Sequence, residues 1–352
     1  MIRTNRQTLP LRRQRKLFWN ALGAVTFVFL FLNGSRIVSM TENERENSTY
    51  RKKITVDTAW MRPMIDNERN NTSMTGDCVF RNLSSLPAAA VITPIWVPSY
   101  PGSGSNLFAD LIRATTGGEA ANYYKGQCTG NPAIVTCKTH WPSIRPFRRV
   151  QPSTKKDVFH NRSMFLIRNP RKAIPSFVNF KWEMRNKIDH HTRQAPESFW
   201  RRARDDTLTE LIKTWENMIS EWQLQPFEIA LYVQYEKLTD STTGPELLQS
   251  VINEVKKVLP ASVDLPNEDL PCLWHKVVKG GESSSKREDH KYKPRYTVKQ
   301  KQQLLEMLDR VILKFSDDNS KRVTTSSAAL ALLEILHSYR EDIAINTPLE
   351  EN

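Results

Sequence analysis

The sequence predicts an α/β protein in three layers, α/β/α, with helices on both sides of a central parallel sheet. Two observations predict it. From Pro87 onward, short apolar runs rich in β-branched residues alternate with segments of helical periodicity. Strands that alternate with helices build parallel sheets. The first run, Val91–Val97, leads through the turn Tyr100–Asn106, reading Y-P-G-S-G-S-N, into Leu107–Arg113, where apolar residues recur at helical spacing. Strand, glycine-rich turn and helix in that order aim backbone N–H groups and a helix N-terminus at one anionic spot.

The elements follow in chain order. Strand runs fall at Val91–Val97, Ala133–Thr136, Met164–Ile167 and Ile229–Val233. Helical segments lie near Leu107–Ala114, Ala173–Arg185, Leu208–Trp222 and Glu246–Val258. Residues 280–295, G-G-E-S-S-S-K-R-E-D-H-K-Y-K-P-R, read as a polar loop. Thr297–Lys314 carries an apolar stripe of Leu304, Leu305, Leu308, Val311 and Ile312, as an amphipathic helix does. Ser326–Tyr339 reads as one more helix, followed by an acidic, frayed end. The main domain is therefore placed at residues 87–318, with a C-terminal helix and tail at 319–352.

Charge is unevenly spread. The formal net charge of +13 includes +6 from residues 1–16, which hold no acid. Residues 145–204 contain sixteen Lys/Arg against four Asp/Glu. Positive charge concentrated in two places argues against a protein that coats nucleic acid generally. The first cluster, a short cytoplasmic tail, abuts Leu17–Leu32, an apolar run of 16 residues broken by Asn20. As a helix it spans roughly 24 Å, a little short of a hydrocarbon core of about 30 Å. With basic residues on its N-terminal side, residues 17–33 are expected to be a single-pass signal anchor of type II, with the remainder translocated. A cleavable signal peptide ending at Asn33-Gly34-Ser35 is the alternative. Residues 34–86, including T-E-N-E-R-E-N-S-T-Y-R-K-K, are too polar to form a core and read as a lumenal stem.

Translocation agrees with the glycosylation acceptors at Asn47, Asn70, Asn71, Asn82 and Asn161, most of them clustered before residue 83. Four cysteines, Cys78, Cys128, Cys137 and Cys272, allow two disulfides in three connectivities, or remain buried thiols. No C-x-x-C pair is present, so no zinc site is expected.

Three stretches could carry chemistry. In the first turn, Gly102 and Gly104 let the backbone approach a phosphate, and Ser103, Ser105 and Asn106 add hydrogen bonds; the alternative is an ordinary connecting turn. Ala133–Pro142, A-I-V-T-C-K-T-H-W-P, delivers Lys138 and His140 two residues apart at a strand end, and a histidine there is a candidate general base. Phe165–Phe177, F-L-I-R-N-P-R-K-A-I-P-S-F, sets Arg168 at a strand end and Ser176 on the following helix. Those two could clamp a phosphate. With Asn169, Arg171 and Lys172 nearby, the region reads as an anion site. Pro170 suits a helix start, whereas Pro175 is awkward inside the first turns.

Together these residues resemble the sulfotransferases that use 3′-phosphoadenosine-5′-phosphosulfate (PAPS). Tyr100–Asn106 is similar to that family's 5′-phosphosulfate loop, Y-P-(K/R)-S-G-(T/S)-(T/N). Lys138-Thr139-His140-Trp141-Pro142 resembles its K-T-H-x-P segment, and Arg168 with Ser176, eight residues on, resembles its 3′-phosphate motif. Val233–Leu238, V-Q-Y-E-K-L, is similar to the V-R-Y-E-D-L element, and Lys276–Gln300 to the late loop that closes over the nucleotide. The resemblance covers roughly residues 90–312. Its membrane-bound branch, the WSC-domain-containing sulfotransferase-like proteins, is the nearest in character, although no WSC module is present.

The resemblance implies a P-loop-NTPase-like sulfotransferase fold, PAPS as co-substrate, no metal, and a Golgi membrane location with a lumenal catalytic domain. It implies His140 as the general base and Lys138 as a charge stabiliser. Gly102, Ser103, Gly104, Ser105 and Asn106 would hold the 5′-phosphosulfate. Arg168 and Ser176 would hold the 3′-phosphate with Lys286 and Arg287, and Tyr235 would lie near the adenine. One position departs from the family: the basic residue of the first loop is Gly102 here. Lys138, Arg113 or Lys125 could take its place.

The acceptor is expected to be a hydroxyl on an acidic glycan or glycoconjugate. Arg145, Arg148, Arg149, Lys181, Arg185, Lys187, Arg201, Arg202 and Arg204 with Trp182 and Trp200 suit such a partner, or form a solvated helix face. A tyrosine-containing acidic polypeptide fits the same charge. A P-loop kinase would need G-x-x-x-x-G-K-(S/T), which the turn lacks. A non-enzymatic membrane-anchored module on the same fold is the other alternative.

Overall fold

The computed structural model describes residues 78, 92–123, 128, 133–142, 161–188, 193–225, 228–260, 263, 265, 268–280, 292–316 and 326–350. The expected anchor at 17–33, the stem apart from Cys78, Lys125, Arg145, Arg148, Arg149, Lys286 and Arg287 lie outside them. Among the described residues no helix is long and apolar enough to cross a membrane.

Five strands form one sheet, and every pairing is parallel. They are β1 (Ile95–Pro98), β2 (Glu119–Asn122), β3 (Ile134–Thr139), β4 (Arg162–Ile167) and β5 (Glu228–Gln234), in the order β2-β3-β1-β4-β5. The chain leaves β1 toward one edge and later leaves β4 toward the other. The crevice between those two strand ends is the switch point at which open α/β sheets bind ligands. The strand β2 has no apolar run to announce it, reading E-A-A-N, and is set by pairing with β3.

Alternation along the strands divides the core. Ile95, Val97, Met164 and Leu166 face one cluster, while Trp96, Phe165 and Ile167 face the other, as the period of two requires. The first cluster is closed by α1 (Ser105–Thr116), α5 (Gly244–Lys256) and α6 (Leu270–His275), the last continued by a π-turn at Lys276–Gly280. The second is closed by α2 (Pro170–Arg185), α3 (Glu197–Gln223), α7 (Val298–Ser316) and α8 (Ser326–Asn346). A one-turn helix, α4 (Tyr235–Thr239), follows β5 directly.

Disulfides join Cys78 to Cys272 and Cys128 to Cys137. The first ties the start of the described chain to α6. The second fastens a residue before β3 to the strand position next to Lys138.

The C-terminal end differs from the frayed tail expected from its composition. Helix α8 continues to Asn346. Beyond it, Tyr296 N–H donates to the Pro348 carbonyl at 2.9 Å and Glu350 N–H to the Tyr296 carbonyl at 3.0 Å. Glu350 is drawn in by Arg204, 2.6 Å away and 3% exposed. Two acids that look like solvated tail in the sequence, Asp342 and Glu350, pair with the half-buried Arg171 and the buried Arg204.

Candidate active site

The turn after β1 is shaped by its glycines. Gly102 and Gly104 have φ of +88° and +87°, a conformation costly for residues with a Cβ. Space forbids a side chain as well. A Cβ at Gly102 would lie 2.6 Å from the Ala173 carbonyl oxygen and 2.8 Å from the Phe177 nitrogen of α2. A Cβ at Gly104 would lie 2.1 Å from the Tyr235 ring. The turn is therefore pressed between α2 and α4.

Helix α1 begins at Gly104 with no side-chain cap and no acid in its first turn. Its first N–H groups carry the positive end of the helix dipole without a built-in counter-charge. Beside them Ser103 is 1% exposed, and its hydroxyl has no hydrogen-bond partner. Burying a hydroxyl unpaired is costly, and this one lies beside the uncapped start of α1.

Arg168 closes the turn from the β4 side. Its Nη1 donates to the Gly102 carbonyl at 2.7 Å, and its guanidinium stacks on the Tyr235 ring at 4.3 Å. The Arg168 Nε is buried without a partner. Ser176 reaches the same place from α2, its Cβ 3.2 Å from the position a Gly102 Cβ would take. Gly102, Gly104, Arg168, Ser176 and Tyr235 thus converge.

The strand end of β3 completes the edge. Lys138 donates from Nζ to Asn106 Oδ1 at 2.5 Å, which links it to the first turn of α1. His140 Nδ1 lies 2.7 Å from the Ser99 carbonyl oxygen. A carbonyl can only accept, so Nδ1 carries the hydrogen and Nε2 is the basic nitrogen. Burial, with the Lys138 charge adding and the Ser99 hydrogen bond opposing, lowers the His140 pKa to about 3. The ring is neutral at physiological pH.

Other cations expected at the site are used elsewhere. Arg171 donates from Nη2 to Asp342 Oδ2 at 2.7 Å. Asn169 accepts the Arg171 N–H as helix cap and donates to the same carboxylate at 2.8 Å. The anion site is therefore narrower than the R-N-P-R-K run implies. Arg113 pairs with Asp110 at 2.7 Å and donates to the Ala120 carbonyl at 3.0 Å. It stands about 12 Å along α1 from the turn, so the expectation that it serves beside Gly102 is not met.

The expected acceptor surface also contracts. Arg204 is buried against Glu350, Asp205 and the Arg295 carbonyl, and Trp200 is 2% exposed, donating to that carbonyl. Arg201 pairs with Glu197 and Glu350. Lys181, Arg185, Lys187 and Arg202 remain exposed. Pro175, awkward in the sequence, is accommodated because its missing N–H frees the Arg171 carbonyl, to which the Tyr296 hydroxyl donates at 3.0 Å.

Three residues with no role in the sequence reading surround Arg168. Glu236 accepts from the Asn169 N–H at 3.1 Å and from the Tyr339 hydroxyl at 2.9 Å, and Asp342 holds Asn169 and Arg171. Glu236 follows Tyr235 directly, which was the one available signal; Tyr339 and Asp342 had none. No protein-family model matches the chain, and no solved structure matches it.

Proposed function

We propose that this edge binds PAPS and that the protein is a sulfotransferase, moving the sulfuryl group to a hydroxyl on an acidic glycan or glycoconjugate. The observation that carries the reading is the buried, unpartnered Ser103 hydroxyl beside the uncapped N-terminus of α1, faced by an arginine whose Nε is also unpartnered. Anions are what helix N-termini and arginine side chains select together. The order of the turn, Lys138/His140 and Arg168/Ser176 along the chain supports PAPS over other anions, through the family resemblance. A P-loop-NTPase-like sulfotransferase fold and a type II Golgi membrane placement belong to the same reading.

In this reading Gly102–Asn106 holds the 5′-phosphosulfate, and Arg168 with Ser176 holds the 3′-phosphate. Lys286 and Arg287 would close over the nucleotide, with Tyr235 beside the base. His140 Nε2 takes the proton from the acceptor hydroxyl as its oxygen attacks sulfur, and the S–O bond to the 5′-phosphate breaks. Lys138 stabilises charge on the transferring group. A bound dianion opposes the Lys138 field and raises His140 from its low resting basicity. Positioning and electrostatics supply most of the rate.

Transfer of labelled sulfate from PAPS to a panel of glycans and tyrosine-containing peptides tests the activity and the acceptor class together. His140→Ala is expected to lose about 10²–10⁴-fold in turnover while keeping nucleotide affinity; near-normal transfer by that variant would refute the assignment. A second reading, a PAPS-binding module without turnover, is favoured by Gly102, where no basic side chain fits. Nucleotide binding without transfer to any acceptor would select it. Tighter binding of ATP–Mg than of PAPS would instead point to a kinase.

A further inference from the structure

The turn after β4 carries Arg168, and several of its backbone groups are held by side chains from elsewhere. The Trp215 indole donates to the Arg168 carbonyl at 3.2 Å, and Glu236 accepts the Asn169 N–H at 3.1 Å. Tyr296 donates to the Arg171 carbonyl at 3.0 Å, and Asp342 takes both the Asn169 amide and the Arg171 guanidinium. Tyr339 stands behind this set: its hydroxyl donates to Glu236 Oε2 at 2.9 Å and lies 3.3 Å from the Ile167 carbonyl, at the end of β4. Tyr339 and Asp342 are one helical turn apart on α8, and Asp342 meets Asn169 across 173 residues of sequence.

We propose that Tyr339 and Asp342 of the C-terminal helix, acting through Glu236 and Asn169, are positioning residues that hold the β4–α2 turn so that Arg168 meets the donor phosphate. The inference rests on the reading of this edge as the PAPS site. Their contacts include Ile167, Asn169, Arg171 and Glu236. Each removes freedom from the segment whose arginine meets the Gly102 carbonyl, and an arginine held in place before binding loses less entropy on binding. The C-terminal helix is then part of donor recognition.

The test measures affinity for adenosine 3′,5′-bisphosphate (PAP) and steady-state kinetics on the full chain for wild type, Tyr339→Phe, Asp342→Asn and Leu332→Ala. Leu332 lies on the same helix, 1% exposed, in the apolar core, so its truncation lowers stability without touching the network. Tyr339→Phe and Asp342→Asn are each expected to weaken PAP binding about 3- to 10-fold, the range of residues that act through neighbours. The KM for PAPS should rise by the same factor, with kcat within about 2-fold. Amide exchange should quicken in residues 168–172 in both variants, and Leu332→Ala should bind PAP as wild type does. Wild-type affinity in both variants, or an equal loss in Leu332→Ala, would overturn the positioning role alone. A wild type that binds no PAP overturns the donor reading and this inference with it.

Discussion

The turn after β1 and the turn after β4 face each other across one crevice, and they keep their shapes by different means. The first relies on backbone: Gly102 and Gly104 at positive φ, packed against α2 and the Tyr235 ring, with Ser103 left unpaired. The second relies on side chains brought from α3, from α4 and from Tyr296 just before α7, which satisfy the Arg168, Asn169 and Arg171 backbone groups, and on Asp342 of α8, which holds the Asn169 and Arg171 side chains. The difference teaches how each can fail. The first cannot accept a side chain, and the second cannot lose its distant partners.

The largest effect should come from adding side chains to the first turn. Gly102→Lys restores the residue the resembling family carries, yet it should not restore function. Left-handed strain of about 1–2 kcal/mol and overpacking of about 1–3 kcal/mol predict a fall in Tm of several degrees and weaker PAP binding. A Gly102→Lys protein that is as stable and more active would show that the turn relaxes more freely than its contacts imply.

Next comes a contrast within the second turn. Arg168→Ala should weaken PAP about 10- to 100-fold with little change in stability, because a charge-assisted contact to the ligand is lost. Arg171→Ala should do the reverse. It strips the half-buried Asp342 of its main partner, so chemical denaturation should report a loss of about 1–3 kcal/mol with the larger share of PAP affinity kept. Equal effects on affinity from the two would erase the distinction between them.

Acid should separate the turns by pH. The His140 pKa lies below its ordinary 6.5, at about 3. Between those values the unfolded chain binds more protons, so stability is full above about 6.5 and is lost as pH falls through that window. Burial pushes Asp342 up, but hydrogen bonds from Arg171 and Asn346 outweigh it and leave its pKa below the ordinary 3.8. Its contribution is lost only at lower pH. Denaturant midpoints across pH should therefore decline first from His140; His140→Gln should flatten the limb above pH 4, and Asp342→Asn, which also lowers the plateau by removing the Arg171 ion pair, should flatten only the limb below it.

The smallest effect tests the proline. Tyr296→Phe leaves the Arg171 carbonyl, which Pro175 cannot satisfy, without its donor. A loss of about 1–2 kcal/mol is expected. No change in Tm would mean that solvent replaces the hydroxyl.

Much of this was legible in the chain. The apolar runs gave four of the five strands, because β-branched residues buried on both faces of a parallel sheet leave a continuous signal. The short E-A-A-N strand left none. The turn Tyr100–Asn106, Lys138, His140, Arg168 and Ser176 were readable as a set because each belongs to a stretch that ends or follows a strand, and parallel strands bring all their carboxyl ends to one edge. The Arg171, Arg204 and Trp200 readings failed for a common reason: composition counts a charge or a ring without showing what lies opposite it.

The sequence by itself determined the layered α/β order and the residues at the sheet edge, since local periodicity and strand direction suffice for both. Only the tertiary structure decided which cations face the crevice. Asp342 and Glu350 lie far along the chain from the arginines they neutralise, and no local pattern encodes such a pairing. It likewise decided that Gly102 is there because α2 lies too close for a side chain.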